Sequence, residues 1–138
     1  MIEISHRLLE RIYQHARESS PHECCGILIG RNQRVKRVED IFETVNVETR
    51  RSRERYLIDG KDFYMADKIA TERGLEIIGF YHSHPGHPSI PSQRDLELAW
   101  QGFSYLIVSL RKRKKPEFKA WLLEENGKGF VEEKIDKI

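Results

Sequence analysis

Residues Leu75–Asp95 read LEIIGFYHSHPGHPSIPSQRD: an apolar run passes directly into a stretch holding three histidines and an aspartate among three prolines. The first ten residues, Leu75 to His84, have the character of a buried strand. Pro85 to Pro91 form a loop, and Ser92 opens a helix expected to run to about Gln101. His82 and His84 lie two apart on the strand, so their imidazoles point to one face. Both stand at the strand's C-terminal end, where a loop opens the site to solvent. Asp95 follows His84 by eleven residues. The bends at Pro85, Gly86, Pro88 and Pro91 allow its carboxylate to return toward the two rings.

Two imidazoles and one carboxylate leave the fourth position of a tetrahedral zinc for water, the pattern of a catalytic rather than a structural site. Zinc lowers the pKa of such a water to about 7. Each part also has a plainer reading. A strand histidine alone is usually a packed or surface residue, and Ser92-x-x-Asp95 resembles a capping box at a helix start. The joint pattern H-x-H-x7-S-x-x-D favours a metal site. A two-histidine, one-carboxylate set also serves nonheme iron oxygenases. No cosubstrate site is visible in the sequence, so one hydrolytic Zn2+ per chain is expected. His87, between Gly86 and Pro88, reads as a rim or substrate-contacting residue, or else as simply exposed.

Outward from this segment, strands and helices interleave. Ser5 caps a helix to Ser19, with Leu8, Leu9, Ile12, Tyr13 and Ala16 on one face. Cys24–Gly30 (CCGILIG) suits a buried strand, and Val35–Val47 one long strand or two short ones. Glu48–Arg55 (ETRRSRER) reads as a mobile polar loop and Tyr56–Ile58 as a short strand. Asp59 caps a helix to about Arg73, with Phe63, Ala66, Ile69 and Ala70 facing inward and Gly74 closing it. Tyr105–Leu110 and Phe118–Leu123 are strands joined by RKRKKP, and the tail after Asn126 adds a last short strand. Several connections are too short for parallel crossovers. The expectation is an α/β (α+β) chain with a mixed, largely antiparallel sheet flanked by helices.

At 138 residues, one domain spanning 1–138 is the simplest organisation. The 24 basic and 22 acidic residues leave a formal charge of +2, with no global pull toward nucleic acid or membrane. The 33% charged content exceeds the roughly 25% of a typical domain and is compatible with a thermophilic source. No signal segment and no apolar run of about 20 residues stands out, and the adjacent Cys24 and Cys25 offer no disulfide framework. A cytoplasmic protein is expected. At least one of the two cysteines should be a buried, apolar-like side chain.

The H-S-H-P motif, with Ser92 and Asp95 at their spacing, resembles the JAMM (MPN-plus) metalloproteases. PHECCGILIG, with a glutamate just before an apolar strand, and RYLID followed by a helix strengthen the likeness, which runs from about Glu3 to Glu125. The resemblance implies a curved, mostly antiparallel sheet between helices, the JAMM/MPN (cytidine-deaminase-like) architecture. It implies His82, His84 and Asp95 as zinc ligands, Glu23 as general base, and Ser92 as a stabiliser of the oxyanion. Chemistry agrees on Glu23: a carboxylate off the metal can carry the proton from water to the leaving amine, and burial would raise its pKa. Otherwise Glu23 is a surface loop residue.

Members of that family cut after the C-terminal diglycine of ubiquitin, ubiquitin-like or sulfur-carrier proteins. The chain lacks room for the insertions of ubiquitin-specific members and resembles archaeal desampylases and sulfur-carrier-cysteine peptidases. A narrow groove accepting only glycine beside the scissile bond is expected. Arg50, Arg51, Arg53 and Arg55, and then Arg111 to Lys115, are solvated loops or docking points for an acidic modifier, with Arg50 and Arg51 the first candidates. Nucleic-acid binding is disfavoured because no stacking aromatics accompany the basic runs. The rival readings are a noncatalytic zinc-containing interaction module and a zinc hydrolase of a small amide or cysteine metabolite. A homodimer is compatible with the resemblance.

Overall fold

A computed structural model describes residues 1–112 and 114–138; Arg113 of the second basic run lies outside the described residues. In chain order the elements are β1 (Ile2–Ile4), α1 (His6–Ser19), β2 (Cys25–Arg31), β3 (Lys36–Thr44), α2 (Gly60–Glu72), β4 (Glu76–His84), α3 (Gln93–Leu98), β5 (Ser104–Ser109), β6 (Glu117–Leu123), β7 (Phe130–Glu133) and β8 (Ile135–Lys137). No helix among the described residues is long and apolar enough to cross a membrane.

The strands form one sheet in the order β7-β6-β5-β4-β2-β3-β1-β8. The pairs β2/β3, β2/β4, β5/β6 and β6/β7 are antiparallel, whereas β4/β5, β1/β3 and β1/β8 are parallel. The mixed, mostly antiparallel sheet expected from the sequence is borne out. Its two outermost strands, β7 and β8, are joined by Lys134 alone, so the sheet curls until its edges nearly meet. Glu133 accepts from Ser104 Oγ at 2.6 Å, and Lys36 Nζ donates to the same serine at 3.0 Å, linking β7, β5 and β3.

Both faces of the central strands are covered, which is why β2 and β4 read as continuous apolar runs rather than alternating ones. Leu28 and Ile78 pack with Leu8, Leu9, Ile12 and Ala16 of α1. Their neighbours Ile27, Ile29 and Ile77 pack with Ala66 and Ala70 of α2 on the other side. Ser5 caps α1 by accepting from the Leu8 N–H, and Asp59 caps α2 by accepting from the Lys61 N–H. Gly74, at φ 68°, takes the left-handed turn that lets the chain leave α2 for β4.

Several expectations need correction. β1 was not foreseen: IEI sits directly before the helix cap and is too short to show a period. Tyr56–Ile58 is not a strand, although Ile58 makes one isolated bridge to Asn46. The third helix ends at Leu98, because Ala99 turns to extended backbone at ψ 146°. Phe63 is 39% exposed rather than inward, with its ring against Phe80 at 6.2 Å. The tail supplies two strands, not one. Segment 48–55, read as a mobile loop, is anchored to its neighbours through Ser52 and Asn46.

Candidate metal centre

The antiparallel pairing of β2 with β4 sets Cys25 opposite His82, so the residues entering β2 lie beside the end of β4. Glu23, His82 and His84 therefore come together on the face that carries α2. A ligand atom from each lies within 4.8 Å of the others. Ser83, between the histidines, points to the opposite face and accepts from the Cys24 N–H at 2.8 Å. That bond joins the two strands at the site.

Asp95 completes the cluster. Its Oδ2 lies 3.2 Å from His82 Nε2 and 3.4 Å from His84 Nε2, and the two Nε2 atoms are 3.2 Å apart. Three ligands about 2.0–2.1 Å from a tetrahedral ion stand about 3.3 Å from one another, so the spacing fits a cation of that size. The tautomer fits too. His84 Nδ1 lies 2.7 Å from the Pro88 carbonyl, which can only accept, so Nδ1 carries the hydrogen and the Nε2 lone pair faces the cluster. Buried His82 has no hydrogen-bond partner at Nδ1 among the described residues.

The loop that returns Asp95 is pinned from behind. Ser109 Oγ donates to the His87 carbonyl, Ser89 Oγ donates to Glu117 at 2.6 Å, and Trp121 Nε1 donates to the Ser89 carbonyl at 3.0 Å. The prolines shape this loop, and β5 and β6 hold it. Ser92 is the N-cap of α3 and forms a capping box with Asp95, so the plainer reading of this pair is also present.

Electrostatics separate the two carboxylates. Burial opposes ionisation of Asp95, but the imidazoles of His82 and His84 and the Ser92 N–H hold its carboxyl far below the usual range. Glu23 is 3% exposed, and burial pushes its carboxyl up to about 8; His84 opposes the rise, while Asp95 and Glu54 add to it. His84 loses some basicity to burial but is raised overall by Asp95, the Pro88 carbonyl and Glu23. One acid is thus a permanent anion beside two imidazoles, and the other can hold or release a proton near neutrality.

A cleft of about 260 Å³ is lined by Glu23, His84, His87 and Ser92 together with Glu54 and Ile90. His87 is exposed and its ring lies 6.3 Å from that of His84. Arg50 and Arg51 are exposed and do not line this cleft; Arg51 pairs with Glu54 at 2.6 Å. Cys24 and Cys25 are both buried free thiols. Three neighbours of the site went unread in the sequence: Tyr56, Glu54 and Asn46. Tyr56 stacks on the His82 ring at 4.4 Å and forms part of an apolar pocket with Phe63, Phe80, Leu98, Trp100 and Phe103. The only sequence signal was an aromatic and an acid closing an otherwise basic run.

The family model for prokaryotic homologs of the JAB domain matches residues 5–124. The chain belongs to this family. This prokaryotic JAB-domain chain is 35% identical over 112 residues to a desampylase of Pyrococcus furiosus, covering 80% of this chain and 73% of that one. It is 28% identical over 132 residues to a CysO-cysteine peptidase of Mycobacterium tuberculosis, covering 95% and 87%. A solution structure from Desulfitobacterium hafniense superposes with a TM-score of 0.89 at 34% identity, covering 100% of this chain and 93% of that one. The JAMM resemblance is borne out, and the matched residues 5–124 include the whole cluster.

Proposed function

We propose that the chain, as a single domain over residues 1–138, is a zinc peptidase or isopeptidase. It cleaves after the C-terminal diglycine of a ubiquitin-like modifier or a sulfur-carrier protein. The carrying observation is the geometry of the cluster: the Asp95 carboxyl and two imidazoles at ligand spacing, with a separate buried Glu23 beside them. Desampylase and CysO-cysteine peptidase relatives support the substrate class.

His82, His84 and Asp95 would hold the ion, and a zinc bound there would supply Lewis-acid polarisation of water and of the scissile carbonyl. Glu23 takes the proton from the attacking water and returns it to the leaving amine, so one carboxylate serves as base and then as acid. A bound cation would favour the ionised form of this carboxyl and so oppose the rise that burial causes. The Ser92 hydroxyl donates to the carbonyl oxygen as it gains charge. His87 and Ile90 border the path by which the substrate tail enters, with Arg50 and Arg51 outside it as docking charges.

The test is incubation of the zinc-loaded protein with diglycine-ended small proteins, each lysine-linked or extended by one cysteine, with products read by mass spectrometry. Cleavage after the diglycine that disappears in Glu23→Gln while one zinc per chain remains supports the reading. Cleavage by Glu23→Gln at the wild-type rate overturns it. A substrate with leucine for its penultimate glycine should resist cleavage.

A further inference from the structure

One side-chain amide connects the turn bearing Glu23 to the segment whose Tyr56 ring stacks on His82. Asn46 Nδ2 donates to the Glu23 carbonyl at 3.0 Å and to the Arg55 carbonyl at 2.9 Å. Its Oδ1 accepts from the Glu48 N–H and the Leu57 N–H, each at 3.0 Å. Two donors and two acceptor sites are all that an amide offers, and Asn46 uses all four. Arg55 and Leu57 flank Tyr56, so one residue grips the backbone on both sides of the ring that stacks on His82. Glu23 is held to the same loop from its other end, its N–H donating to the Ser52 carbonyl at 2.7 Å.

We propose that Asn46 is a positioning residue. It fixes Glu23 relative to the two imidazoles and seats Tyr56 against His82, so that the proton-carrying group and the ring behind the ligand keep one geometry. Asn46 touches no reacting atom. Its side-chain chemistry is specific: aspartate would keep the acceptor arm to Glu48 and Leu57 but set a carboxylate against the carbonyls of Glu23 and Arg55. Alanine would lose both arms. The consequence for turnover rests on the peptidase reading, whereas the coupling of the two segments does not.

The experiment compares wild type, Asn46→Asp and Asn46→Ala, with Glu23→Gln as control. Amide exchange is measured on the metal-free proteins. Turnover of a cysteine-extended, diglycine-ended ubiquitin-like protein is measured on the zinc-loaded ones. In Asn46→Asp, exchange at Glu23–Cys25 and Tyr56–Ile58 should accelerate while α1 exchanges as in wild type. A displacement of about 1 Å can cost about a hundredfold, so kcat should fall about 10- to 100-fold, with KM within about threefold and one zinc retained. Local exchange and kcat both at wild-type levels overturn the proposal. So does faster exchange without loss of kcat, or acceleration that reaches α1 equally. If Glu23→Gln instead cleaves normally, the peptidase reading fails, and the exchange comparison alone decides whether Asn46 couples the two segments.

Discussion

Ser92 and Asp95 hold each other's backbone: Asp95 Oδ2 accepts from the Ser92 N–H at 2.8 Å, and Ser92 Oγ accepts from the Asp95 N–H at 3.0 Å. That same Oδ2 faces both histidine Nε2 atoms. The capping box therefore aims the carboxylate that would bind the ion. It leaves the hydroxyl hydrogen of Ser92 free, because the cap uses only a lone pair. Helix cap and oxyanion donor are compatible roles for one side chain.

Ser92→Ala should lower kcat about 100- to 1000-fold, the usual effect of losing one such donor. Loss of the cap should also cost about 0.5–2 kcal/mol of stability. Ser92→Asp separates the two effects: it can cap the helix but cannot donate, so thermal stability should recover while kcat does not.

The cation should be visible in stability as well as in activity. At free zinc about 1000-fold above its Kd, the folded state gains about 4 kcal/mol. Wild type should therefore melt higher with zinc than with chelator. His84→Ala should lose most of that shift while its chelated form keeps the fold, as followed by circular dichroism.

Glu23 gives the metal-free protein a signed pH dependence. Its carboxyl moves from 4.5 when free to about 8 in the fold. Between those values the folded chain keeps a proton that the unfolded chain has released, so stability falls as pH rises. Glu23→Gln cannot ionise and escapes this loss. In chelator, the stability of Glu23→Gln relative to wild type should widen from pH 5 to pH 8, by about 2–4 kcal/mol at most. Parallel denaturation midpoints across that range would show that Glu23 titrates normally.

Gly79 lets β4 and β5 approach. A Cβ there would run into the Ser104 backbone of the parallel partner strand. Gly79→Ala should cost about 1–3 kcal/mol, as overpacking does, and reduce zinc affinity because His82 and His84 end the same strand. Calorimetric zinc titration beside a urea melt checks both.

How far the molecule could be read in advance follows from where each signal sits. The two histidines were legible because a strand alternates sides, so a two-residue spacing fixes a shared face. Ser5, Asp59 and Gly74 announced their helix ends because caps are local chemistry. The parallel pairing of β4 with β5 was not legible, since it depends on a crossover between distant residues. Three-residue β1 carries too few positions to show a period. Asn46 and Tyr56 were hidden for another reason: Asn46 acts through backbone groups of Glu23, Arg55 and Leu57, whose meeting exists only after folding. Arg50 and Arg51 stood out in the sequence by charge, yet the neighbour that lines the cleft is Glu54.

Lys134 is the one residue of chain that separates the two rims of the curl. The strand before it rides on one rim and the strand after it on the other, so one short ribbon fastens both rims at once. Cutting the backbone there would free both borders together and leave the hoop held across its seam by side-chain links such as Lys36–Ser104–Glu133.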